Sequence, residues 1–87
     1  MTDDRLRDLH EHLAATAERP VERTASRWLG EAEAIADDLA RSDLDPAVRQ
    51  ERLEQVDHLL SEVDSTGDED ADERVAAARD LVDNLLG

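Results

Sequence analysis

Leu6, Leu9, Leu13 and Ala17 recur at spacings of three, four and four near the start of the chain, with mostly polar residues between them. That spacing lays one apolar stripe along one side of an α-helix, so a helix is predicted over about residues 3–18, capped by Thr2 or Asp3. Its early acids suit the positive end of the helix dipole. Pro20 interrupts the pattern, because proline removes a backbone donor and clashes with the carbonyl four residues back. A second helix is therefore expected over about 20–41, with Pro20 in its first turn. Within it Val21, Ala25, Trp28, Ala32, Ile35 and Leu39 alternate four and three apart, and Leu29 and Ala36 widen the stripe. The seam covers barely three heptads, which favours a bundle over a coiled coil.

Ser42-Asp43-Leu44-Asp45-Pro46 stops that helix and starts the next, with Asp45 as N-cap and Pro46 as first helical residue. So short a link makes helices two and three a tight antiparallel hairpin. Helix three, about 46–64, is expected to bury Val48, Leu53, Val56, Leu59, Leu60 and Val63. An acidic loop over about 64–70 is expected to be mobile, since residues 64–73 carry six acids and a glycine. Helix four, about 70–86, should restart near Asp70 or Asp72, with Asp70 and Glu73 spaced as a capping box. Its seam is Val75, Ala78, Val82 and Leu85, flanked by Leu81 and Leu86. No alternation at period two reads as a strand. The expected fold is all-α, a small antiparallel bundle of about four helices in a single domain over 1–87.

Composition limits how firmly such a bundle can hold itself. The 87 residues include twelve Leu and thirteen Ala but no Phe or Tyr, so each buried side chain removes little area from water. A chain this short buries only roughly 60–65 % of its unfolded surface, and no disulfide can add to that because there is no cysteine. Burial against a partner offsets the deficit, so a homo-oligomer is expected. The missing cysteine also excludes thiolate catalysis, iron–sulfur clusters and thiolate zinc sites. No apolar run is long enough for a membrane span, and the acidic start is unlike a secretory signal. A cytoplasmic protein without membrane contact is expected.

The charge is lopsided in kind as well as in amount. All ten basic residues are arginine, against twenty-four Asp and Glu, for a net charge of −14. Arginine is weakly hydrated and pairs bidentately with carboxylate, whereas lysine carries a compact ammonium on a mobile stem. In this the chain resembles the small acidic helical proteins of salt-in halophilic archaea, where concentrated cations screen carboxylate repulsion to about 3 Å or less. The resemblance is compositional. It implies an environment and carries no activity across.

Little in the sequence converges as chemistry. His10 and His12 lie two residues apart, hence about 200° apart around a helix, and cannot chelate one ion from it. Either could join His58 only where helices one and three touch. Asp68, Asp70 and Asp72 match the first three ligand positions of a calcium loop, but Glu73 stands where glycine is required and Arg79 where a bidentate Glu belongs. No G-x-S-x-G exists, and three glycines build no phosphate-cradling loop. No catalytic residue, metal site or cofactor is assigned, and an enzyme is not expected.

One stripe runs against the overall charge. Arg19, Arg23 and Arg27 recur every four residues at the expected start of helix two, where like charges repel and cations oppose the helix dipole. Acids of helix one or four docking on the stripe would satisfy it. The alternative is an anionic partner, with Trp28 either filling the seam or serving as a contact beside the arginines. The expected function is a non-enzymatic protein-interaction or scaffold module, with a homodimer as one form of it. The alternative is a nucleic-acid-associated regulator that uses Arg19, Arg23 and Arg27. Residues 1–41 carry six Arg and ten acids against four and fourteen in 42–87, so the first two helices are the expected partner side.

Overall fold

The computed structural model describes residues 3–87, and four helices account for most of them: α1 (Asp4–Thr16), α2 (Arg23–Arg41), α3 (Pro46–Ser61) and α4 (Glu69–Leu86). No strand occurs among the described residues. Each helix packs on two others, α1 on α2 and α4, and α3 on α2 and α4, while the diagonal pairs α1–α3 and α2–α4 do not meet. Short links force successive helices to run antiparallel, so the chain goes up and down around a ring. The result is a rod of 36 × 19 × 19 Å.

The apolar stripes meet inside that ring. Leu6, Leu9 and Leu13 of α1 face Val75, Ala78 and Val82 of α4, and Leu53, Val56, Leu59, Leu60 and Val63 close the core from the α3 side. Three of the five buried residues of α2 are alanines, Ala25, Ala32 and Ala36, beside Leu29 and Leu39. Small side chains let the neighbouring helices approach α2 closely. Trp28 and Ile35, on the predicted seam, are only half-buried and pack at the edge of the core.

Four local expectations are corrected. The second helix starts at Arg23, and Pro20, Val21 and Glu22 stay outside it. The Glu22 N–H, free to open a helix, instead donates to the Thr66 carbonyl across the bundle end at 2.8 Å. Val48 is 36 % exposed rather than buried. On the inner side of that turn Arg49 reaches in, its Nη2 3.1 Å from Asp3 Oδ2, linking the starts of the diagonal helices α3 and α1. The third helix ends at Ser61; Glu62 and Val63 follow as a tighter turn with N–H bonds to Leu59 and Leu60. The fourth is capped two residues earlier than expected, by Asp68, whose side chain accepts from the Ala71 N–H at 2.9 Å.

Two caps fall where the pattern put them. Asp3 caps α1, its carboxylate accepting from the Arg5 N–H at 2.9 Å. Thr2, the other candidate, lies outside the described residues. Asp45 precedes Pro46 at the start of α3 without a side-chain cap bond.

Candidate functional site

The arginine stripe divides at the start of α2. Arg19 lies in the α1–α2 link, not on α2, and its guanidinium turns to the opposite link. Arg19 Nε and Nη2 donate to the two oxygens of Asp68 at 2.9 and 3.0 Å, and Asp70 is 3.2 Å away. A planar fork on a carboxylate is the strong form of an ion pair. It holds the Asp68 carboxyl below its ordinary value, with the Ala71 N–H as the next cause. An acid of α4's cap thus docks on Arg19.

The segment expected to be mobile is tied down by the same set of contacts. Thr66 is fully buried. Its hydroxyl lies 2.8 Å from Asp72 Oδ1 and 2.9 Å from the Asp68 carbonyl, and accepts from the Asp68 N–H at 3.1 Å. Its own N–H donates to Asp72 Oδ1 at 2.8 Å. Gly67 turns the chain with φ +82°, a conformation that favours glycine, against the Glu22 side chain. Asp68 and Asp72, two of the three aspartates that suggested a calcium loop, therefore spend their oxygens on protein donors. No group of three His, Asp or Glu that could hold a metal occurs among the described residues.

The histidines are dispersed. His10 faces α2, with Nε2 3.8 Å from Asp37, and His12 faces α4, where Arg74 Nη1 approaches its Nδ1 at 3.1 Å. His58 stands on the far helix beside Glu62 at 4.0 Å. Because α1 and α3 are diagonal, His58 cannot join the other two.

Arg23 and Arg27 behave differently from Arg19. Both are exposed on α2, and neither has an ion-pair partner among the described residues, in a chain with twenty-four acids. At 100° per residue, Arg23, Arg27, Gly30, Ala34 and Asp38 lie within about 40° of the direction opposite the buried side of α2. All five are exposed. Around a Cβ placed on Gly30 nothing lies within 4 Å, so the ridge is low and open at its middle. Arg41 shares the ridge but is engaged by Asp37 at 3.3 Å. Along the shoulder toward α3, Ile35 and Leu59 line a shallow apolar groove with Glu51, Glu54, Gln55 and His58 on its α3 side. Trp28 is half-buried one helical turn pair from Ile35 on that same shoulder. The four sequence-assigned residues thus resolve into one internal clamp, Arg19, two outward arginines, Arg23 and Arg27, and Trp28 at the edge of the core. Asp38, next to Asp37 in a chain this acidic, reads in the sequence only as one of a pair of surface carboxylates.

No helix among the described residues is long and apolar enough to cross a membrane. No curated protein and no solved structure matches the chain. A family model described as Domain of unknown function (DUF8152) matches residues 5–87. With all but the first residue of the four helices inside that match, the chain belongs to the family Domain of unknown function (DUF8152).

Proposed function

We propose that this protein is a non-enzymatic interaction module that meets its partner with the outer face of α2. The observation that carries this is Arg23 and Arg27 without an internal carboxylate partner, beside the half-buried Trp28. Repulsion between them and their position near the positive end of α2 cost a few tenths of a kcal/mol each, and no direct ion pair among the described residues offsets it. An anionic partner surface does. The carboxylate excess with arginine as sole base supports a cytoplasm of concentrated salt as the setting, as in halophilic archaea.

The test is affinity capture in molar KCl with the wild-type chain and with the double variant Arg23→Glu, Arg27→Glu. A partner retained by the first and lost by the second is the expected result; equal recovery removes the α2 face from consideration. The nucleic-acid alternative keeps two guanidinium groups, since Arg19 is taken by Asp68 and Asp70. Retention of DNA or RNA in high salt that vanishes with the same variant favours it instead.

A further inference from the structure

We infer that the occupant of the α2 face is a second copy of this chain, docked antiparallel about a two-fold axis passing between Gly30 and Ala34. The inference rests on α2 being the interaction face and names what covers it. Its basis is the self-complementary order of charge along the ridge. Arg23 and Arg27 stand toward the N-terminal end of α2 and Asp38 toward the C-terminal end, where the charge of Arg41 is met by Asp37. Arg27 and Asp38 are exposed, and neither has an ion-pair partner among the described residues. They lie on one side of one helix, eleven residues or about 16 Å apart, too far to meet within a chain. Antiparallel docking about that axis sets Arg27 of each copy beside Asp38 of the other, so the contact forms twice. Arg23 then comes to the C-terminal end of α2 in the second copy, where Arg41 is held by Asp37 of its own helix and Asp43 beside it is exposed. Gly30 and Ala34 meet at the axis, and their small size lets the two helices approach.

Other arrangements use the ridge less well. Parallel pairing sets Arg27 against Arg27. Docking of the ridge on the acidic outer side of α3 or α4 is heterologous, and unless its rotation closes a ring it leaves an open ridge at the end of the assembly. Two-fold pairing satisfies Arg27 and Asp38 of both copies at once. The contact also fits the charge of the whole chain. Two copies repel through their like net charge over the width of the bundle, but at molar salt that repulsion reaches only about 3 Å, whereas direct Arg–Asp contacts lie within that range. Association is therefore expected to strengthen as salt rises from low concentration. A single ridge sits at the low end of stable interface sizes, around 1,000 Å², which makes the dimer reversible.

Sedimentation equilibrium in molar KCl tests this with the wild-type chain, Arg27→Asp, Asp38→Arg, and an equimolar mixture of the two variants. Both positions are exposed, and circular dichroism is the check that each variant folds. The wild type is expected to dimerise. Each variant alone places like charges opposite each other at two sites and self-associates about a hundredfold more weakly, roughly tenfold per site. In the mixture every contact again joins opposite charges, and dimers return as heterodimers. A wild type that stays monomeric, variants that dimerise as it does, or a mixture that fails to recover each overturns the inference. A monomeric wild type that still captures a different protein through Arg23 and Arg27 overturns the inference while leaving the α2 face as an interaction surface.

Discussion

Thr66 shows how much one small side chain can organise. Its buried hydroxyl and N–H serve Asp72 and Asp68, and its carbonyl receives the Glu22 N–H from the other link. Replacing the hydroxyl by a methyl in Thr66→Val keeps the shape but strands the Asp68 N–H and leaves Asp72 only the Thr66 N–H. A loss of about 1–3 kcal/mol in urea unfolding is expected. Arg19 acts on the same turn through charge. Its guanidinium lowers the pKa of Asp68, and a carboxyl whose folded pKa is depressed stabilises the fold above its unfolded value, near 3.9. That contribution drains away as pH falls through the folded value. Arg19→Gln should thus be less stable than wild type at neutral pH, and the gap should close progressively as unfolding is followed below pH of about 4. Asp3, held well below its ordinary value first by the Arg5 side chain and also by Arg49, contributes in the same sense. None of these contacts was legible from spacing alone. Asp68 reaches Arg19 across forty-nine residues, and a local pattern registers only neighbours on one element.

At the scale of elements the apolar spacing located all four helices, because burial decides a helix more than its ends do. The ends went astray where the chain found a better donor or acceptor outside the helix. Pro20 is compatible with a first turn, yet Glu22 bonds to Thr66, and α2 begins three residues later. Val48 fits the stripe of α3 in sequence, but Arg49 takes the inward direction there to reach Asp3. Gly30 is exposed in the interior of α2 with open space around it. Gly30→Ala is accordingly expected to raise stability by about 1 kcal/mol in denaturant unfolding of dilute protein, through backbone entropy alone. The arginine stripe was visible as a periodicity. Its division was not, since the stripe presumes one continuous helix from Arg19 to Arg27 and the structure breaks it at Pro20.

For the molecule as a whole, net charge sets the working conditions. Acids crowd a surface only 19 Å across, so self-repulsion opposes the compact state until salt screens it. The melting temperature is expected to rise steadily with added KCl; a bundle equally stable in dilute buffer would show the carboxylate excess to have another purpose. Composition made this legible, but it said nothing of which helices touch. The broadest contact in the ring is between α1 and α4, the first helix and the last. A ribosome delivering this chain therefore releases Leu9 and Leu13 long before the surface that covers them exists. Three emerged helices leave an apolar trough along the nascent polypeptide, and only arrival of the eighteen residues of α4 seals it. Closure of the core is thereby postponed until α4 has emerged, because no three of the helices complete the ring.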